Sequence, residues 1–246
     1  MNKLLTTLFA LAVASVTAGA LAQAPAASAP AAAAAASPTA LAPAPTASPT
    51  PAGAKSLEAK TAMCVGCHAI KGYHATFPEV YRVPMIAGQG AKYIAAALTA
   101  YKNGDRKHPT MRAIATSLSD QDIQDIATYY EHEGKDDHKP IADKVTVEPN
   151  AQVAALMQKA ACVSCHGANF SKPIDPTYPK IAGQHADYLF VALKSYKTEG
   201  NPQVGRSNGV MGAIAKQFSN AELKALAGYV SSLDSELRTK PEDRFR

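Results

Sequence analysis

Cysteine is scarce in this chain and none is spare. All four cysteines in 246 residues fall in two C-x-x-C-H pentapeptides. With both pairs so local and no other thiol available, no disulfide can tie one distant part of the fold to another. No cysteine lies near residue 22, which excludes a lipoprotein anchor at that junction. Runs of basic residues are also missing: the 25 Lys and Arg are interspersed with 20 Asp and Glu, leaving a diffuse net charge of +5. Such a balance does not point to nucleic acid and reads as a mixed, solvated surface. Residues 23–54 carry no charge at all, and no segment shows convincing strand periodicity.

One apolar run stands near the start, residues 4–16, after the cationic Met1-Asn2-Lys3. Ala20-Leu21-Ala22 supplies a small-x-small site, so residues 1–22 have the form of a secretory signal peptide, with cleavage expected after Ala22. Residues 23–54 contain only Gln, Ala, Pro, Ser, Thr, Leu and Gly. That composition cannot bury a core and reads as a disordered, PPII-prone linker. If the leader were retained, the linker would tether the remainder to a membrane. Export to the periplasm is the expectation.

Cys64-Val65-Gly66-Cys67-His68 and Cys162-Val163-Ser164-Cys165-His166 read as covalent attachment sites for two c-type haems. On a helix, thiols at i and i+3 face one side and suit the two vinyl groups of a porphyrin, while the following imidazole reaches the iron. A zinc ribbon would bring its pairs about 15–20 residues apart, whereas these lie in separate halves. A dithiol redox motif needs a βαβ setting and leaves both histidines unexplained.

The halves repeat beyond these motifs. Pro84-Met85-Ile86-Ala87-Gly88-Gln89 matches Pro179-Lys180-Ile181-Ala182-Gly183-Gln184. Tyr93, Leu98, Tyr101 and Lys102 match Tyr188, Leu193, Tyr196 and Lys197, and Met111-Arg112-Ala113-Ile114-Ala115 matches Met211-Gly212-Ala213-Ile214-Ala215. The expected fold is all-α, with two tandem copies over residues 55–140 and 145–246. In the second copy Val153, Leu156, Met157, Ala160 and Ala161 form a helical stripe, capped by Asn150. A middle helix carries Leu189, Ala192, Leu193 and Tyr196, with Gly200 as its stop. The last helices open on capping boxes, Ser119 with Asp122 and Ser219 with Glu222. A copy this small has little core of its own, so a buried porphyrin is expected to support folding.

His68 and His166 each leave one axial position of the iron to be filled. Met63 adjoins Cys64 and cannot reach the opposite face, Met157 lies on the core stripe, and Met85 has Lys180 as its register partner. Met111 and Met211 occupy equivalent places and are the expected axial ligands; a thioether opposite histidine raises the reduction potential. His74, His108, His132, His138 and His185 have no histidine counterpart in the other copy and read as surface residues. The carbonyls of Pro84 and Pro179 are candidates to accept the second ring N–H of each ligating histidine, although a proline that merely turns the chain before a helix is the plainer reading.

Taken in order and twice over, C-x-x-C-H, Pro-x-Ile-Ala-Gly-Gln, Tyr…Leu…Tyr-Lys, a methionine, and Leu/Phe-Ser before the last helix, the chain resembles the cytochrome c4 family from Lys55 to about Leu233. The resemblance implies two class I cytochrome c domains about a pseudo-two-fold axis, with haem propionate edges close together and Pro84 and Pro179 carbonyls bonded to His68 and His166. It also implies a periplasmic electron carrier, soluble or membrane-associated, between a quinol-oxidising cytochrome bc complex and a haem–copper terminal oxidase. The alternative is the dihaem subunit of a sulfide- or thiosulfate-oxidising dehydrogenase. A dihaem peroxidase needs an open haem position, which two matched methionines oppose. The chain departs from the family pattern at His68-Ala69, where His-Gly is usual, in an aromatic excursion at residues 73–77, and in a longer methionine loop, residues 201–210, in the second copy.

Overall fold

The computed structural model describes residues 55–133 and 140–242. The leader, the linker and His138 lie outside the described residues. In the first half, α1 (Leu57–His68), α2 (Ala91–Asn103), α3 (Pro109–Thr116) and α4 (Asp120–His132) follow in order. In the second, α5 (Ala151–Ala160) and the single turn α6 (Val163–His166) together replace α1, followed by α7 (Ala186–Ser195), α8 (Gly209–Ala215) and α9 (Asn220–Ser231). The repeat is thus realised helix by helix, as the periodicity requires.

The packing repeats as well. In the first half α2 lies on α3 and α4, and α1 on α4; in the second α7 lies on α9, and α5 on α9. Ile94, Leu98, Ile123, Ile126 and Tyr130 form the first core, and Leu156, Leu189, Leu223, Leu226 and Phe170 belong to the second. Both capping boxes close: Asp122 and Glu222 each accept the backbone N–H of Ser119 and Ser219, whose hydroxyls accept from the N3 amides. Lys60 on α1 adds ion pairs to Asp122 at 2.9 Å and Asp125 at 2.5 Å, which tie α1 to α4. Gly88 N–H donates to Tyr130 O at 2.8 Å and Gly183 N–H to Val230 O at 2.9 Å, so each Pro-x-Ile-Ala-Gly-Gln turn is seated on the end of the last helix of its own half.

Three local readings are corrected. The middle helix of the second half ends at Ser195, with Tyr196 as its C-cap, and does not run to Gly200. The stripe leading to the second haem motif is not one helix: Ala161 sits at φ 49° and breaks it before α6. Short strands are also present. β1 (His74–Ala75) pairs antiparallel with β2 (Tyr81–Arg82) in the aromatic excursion, and β3 (Arg106–Lys107) pairs with β4 (Gly205–Arg206) across the two halves.

The aromatic excursion and the longer methionine loop both contribute to the seam between halves. The excursion places Arg82 against Asp187, with its backbone N–H and Nε donating to Oδ2 at 3.1 and 3.0 Å, and Glu79 against Lys194. The longer second loop brings Asn201 O to Lys107 Nζ at 2.7 Å and supplies β4. Beyond α9 the chain crosses back, and Arg238 N–H donates to Ala87 O at 3.0 Å. The described residues consequently make one compact unit.

Candidate haem sites

Helix α1, capped by Ser56, carries Cys64, Cys67 and His68 at its C-terminal end. The second motif is carried by α6, with Cys162 already helical at φ −53° and ψ −43°. All four thiols are free and partly buried. Burial pushes the Cys64 thiol up to about 11, so it is held protonated instead of being poised as the thiolate of a dithiol oxidoreductase. Among the described residues no group of three or more His, Cys, Asp or Glu converges as a metal-binding cluster, and the two pairs do not meet as a zinc ribbon would require.

The two histidines are supported alike. His68 Nδ1–H donates to Pro84 O at 2.8 Å and His166 Nδ1–H to Pro179 O at 3.1 Å. A carbonyl can only accept, so the proton resides on Nδ1 and the lone pair is left on Nε2. Burial lowers both imidazole pKa values; at His68 the Pro84 bond opposes this and Arg106 adds to it. Both rings are therefore neutral and ligand-competent at pH 7. Two unpaired thiols beside an oriented, neutral imidazole, present twice, fit the chemistry of a thioether-linked haem.

The chain turns differently after each histidine. Ala69 continues the helix at φ −95°, whereas Gly167 adopts φ +80° and a Cβ there would stand 2.0 Å from Lys172 O. Glycine is required in the second half and dispensable in the first, which accounts for the His68-Ala69 departure.

Met111 and Met211 each lie in the first turn of a short helix following the seam, on α3 and α8. Their backbone N–H groups are bonded by equivalent caps: Met111 N–H donates to His108 Nδ1 at 3.3 Å and Met211 N–H to Asn208 Oδ1 at 2.9 Å. Met111 is partly buried against the first core. Met63 is 59% exposed and Met157 packs on the second core, in keeping with the roles set aside for them. Met85 is fixed through its backbone by Gln184.

His108 is not a surface residue. It caps α3, and its Nε2 lies 3.1 Å from Tyr81 Oη, so both ring nitrogens are engaged. His185 is also partly buried, at the N-cap position of α7; His74 and His132 are exposed as expected. The composition of the chain hid these placements, but the repeat register carried a signal: His108 and Asn208 both stand three residues before their methionines. Arg106 and Arg206, both five residues before, were missed as well.

A cavity of about 300 Å³ borders His68, Val65, Ile86 and Tyr130, with Lys240 and Pro241 of the returning C-terminal segment on its wall. No helix among the described residues is long and apolar enough to cross a membrane.

The cytochrome c family model matches residues 52–132 and 151–234, one match per half. The chain is 30% identical to cytochrome c4 of Pseudomonas aeruginosa over 180 residues, covering 72% of this chain and 86% of that one. It is 29% identical to the thiosulfate dehydrogenase electron acceptor of Stutzerimonas stutzeri, covering 74% and 82%. The solved cytochrome c4 of Acidithiobacillus ferrooxidans superposes with a TM-score of 0.51 at 26% identity, covering 70% of this chain and 99% of that one. Each C-x-x-C pair, Cys64 with Cys67 and Cys162 with Cys165, attaches a haem c covalently. With its duplicated helical halves and two such sites, the chain belongs to the cytochrome c4 family of dihaem electron-transfer proteins.

Proposed function

We propose that this protein is a periplasmic carrier that accepts electrons from a quinol-oxidising cytochrome bc complex and delivers them to a haem–copper terminal oxidase. The working part is two haem-bearing copies, residues 55–140 and 145–246, exported by a leader over residues 1–22 and preceded by a linker over residues 23–54. His68 with Met111, and His166 with Met211, would hold the two irons. Haem c, when bound, supplies a one-electron Fe(II)/Fe(III) couple at each site.

The observation that carries this reading is the matched support of both donor sets. Each histidine is fixed by a proline carbonyl, and each methionine helix starts on a polar cap at the same register. The prolines hold each imidazole in one tautomer and one plane. The caps fix the start of each methionine helix, and the thioether favours the reduced state. With His68 and Met111 holding one iron and His166 and Met211 the other, neither would be left open to a substrate, which favours a carrier over a peroxidase.

The test is ligand access combined with transfer. The reduced native protein is expected to bind no carbon monoxide and to show negligible turnover with peroxide. It is expected to be oxidised rapidly by a terminal oxidase, with rates that fall as salt rises if the net positive surface guides docking. Stoichiometric carbon monoxide binding to the native reduced protein would overturn the reading.

Similarity to a thiosulfate dehydrogenase electron acceptor favours a second reading, in which the electron donor is a dehydrogenase oxidising sulfur compounds. Reduction by such an enzyme at rates exceeding those with a bc complex would establish it.

A further inference from the structure

One buried phenol in the first half has no counterpart in the second. Tyr130, near the end of α4, is 5% exposed. It borders the cavity beside His68, yet its hydroxyl oxygen is shielded from water and lacks a hydrogen-bond partner. That is a costly state for a group able both to donate and to accept. The residue is also fixed in place. Tyr129 meets its ring edge-on with centroids 5.0 Å apart, and its own carbonyl accepts from Gly88 N–H. The hydroxyl therefore needs a partner where it stands.

The cluster around Tyr130 is otherwise almost wholly hydrocarbon. Apart from the two tyrosines, only Met111 and Cys64 bring a heteroatom to it, and Met111 is the expected ligand of iron. Cys64 reaches the cluster from α1, which packs on α4. The two groups interact. Burial raises the Cys64 thiol pKa and the Tyr130 hydroxyl opposes that rise, as a donor to sulfur does. Burial, and then Cys64, push the phenol's own pKa well above the ordinary 10, so the donor proton is retained at any working pH. A free thiol is itself a weak donor as well as a weak acceptor. Attachment removes that ambiguity. When the thiol adds to a vinyl group, sulfur bonds to one vinyl carbon and the thiol hydrogen passes to the other. The sulfur then lies between two carbons and can only accept.

The second half differs at this one place. Tyr129 matches Tyr229 in the repeat, so the counterpart of Tyr130 is Val230. Val230 is buried in the second core, with Cys162 packed against that core. Burial raises the Cys162 thiol pKa and only its own backbone opposes the rise; no hydroxyl faces it. We propose that Tyr130 Oη–H donates to the Cys64 sulfur in the attached state and so holds the potential of the first haem above the value an apolar residue there would give. Donation to sulfur draws electron density from the edge of the macrocycle and favours Fe(II); hydrogen bonding around a ligand set is an established lever on potential. Tyr130 acts through the cysteine and is a positioning residue in that sense. Two sites alike in their histidine and methionine support are thus made unequal by one hydroxyl.

The proposal rests on haem being held through Cys64, and the experiment keeps the two apart by counting haems first. Holoproteins of wild type and Y130F are compared by redox titration in the visible spectrum. One midpoint is expected to fall in Y130F and the other to stay, and the one that falls should be the one lowered by M111A. Resonance Raman spectra are then taken in light water and after refolding in heavy water, which exchanges the buried hydroxyl. A carbon–sulfur stretching mode of the wild type should shift with deuterium, whereas all those of Y130F should coincide. A phenol that only fills space would leave the isotope comparison flat. Unchanged midpoints, equal shifts in both, a rise in the first, or a wild-type carbon–sulfur spectrum blind to deuterium would each overturn the proposal while leaving haem attachment intact. A wild type holding fewer than two haems would refute attachment and the proposal with it. If Y130F fails to take up haem, the isotope comparison on wild type decides.

Discussion

Gln89 and Gln184 perform the same exchange in opposite directions. Gln89 Nε2 donates to Lys180 O and its Oε1 accepts from Lys180 N–H, both at 2.9 Å. Gln184 Nε2 donates to Met85 O at 2.8 Å and its Oε1 accepts from Met85 N–H at 3.0 Å. Each glutamine thus grips the backbone of the variable residue in the other half's Pro-x-Ile-Ala-Gly-Gln turn. Only main-chain atoms are held, which is why methionine and lysine can occupy equivalent positions. Both amides are 4% exposed.

Q89A or Q184A should therefore loosen the seam, leaving two amides (that of the gripped residue and that of Gly90 or His185) and one carbonyl without their partner, at a cost of about 2–4 kcal/mol. Denaturant unfolding is expected to show this loss and, in the double variant, separate transitions for the two halves. M85A should come close to wild type, since the exchange uses no side-chain atom of that residue.

The methionine assignments predict six-coordinate, low-spin haems in both halves. M111A and M211A should each remove about half of the far-red sulfur-to-iron charge-transfer band of the oxidised protein and lower one potential. M85A should leave that spectrum unchanged. A damaging M85A beside a silent M111A would refute the register argument.

Glycine and alanine should not be interchangeable after the two histidines. G167A forces a Cβ against Lys172 O in a left-handed backbone conformation and is expected to cost more than about 2 kcal/mol or to block haem incorporation in the second half. A69G, in a helical conformation, should cost under about 1 kcal/mol. Haem stoichiometry and thermal melts of the two variants check the asymmetry.

His185 gives a pH dependence with a definite sign. Its folded pKa is below the ordinary 6.5, chiefly through burial and then through Arg82, with Asp187 opposing. The unfolded chain binds the proton more readily, so the contribution of His185 to stability is complete above about pH 6.5 and is lost as the pH falls towards the folded value. H185N should flatten that part of the acid limb. Urea midpoints between pH 7.5 and pH 5 for both proteins would measure it; equal slopes would exclude the effect.

Periodicity and register made much of this molecule legible. The capping boxes, the last helices and the haem motifs stand where their local residues place them, because those features rest on contacts within a few positions. His108 was misread because its identity, unlike that of Asn208, does not signal a cap; the equivalence was visible through spacing alone. Arg106 and Arg206 were hidden for a different reason. They meet on a ladder between segments about a hundred residues apart, and such pairing leaves no mark on either segment. Likewise the break at Ala161 comes from a positive φ at an alanine, a choice made by tertiary packing against local preference.

The returning segment that carries Arg238 has a consequence for how the molecule is built. Translation proceeds from the amino end, so Cys64, His68 and Met111 emerge long before the segment that bonds Ala87 and walls the cavity beside His68. The first half must wait for the completed second half before its surface is closed. During that interval the wall that Lys240 and Pro241 supply beside His68 is not yet in place. The order of synthesis thus supplies the donors of the first site early and this wall of it late.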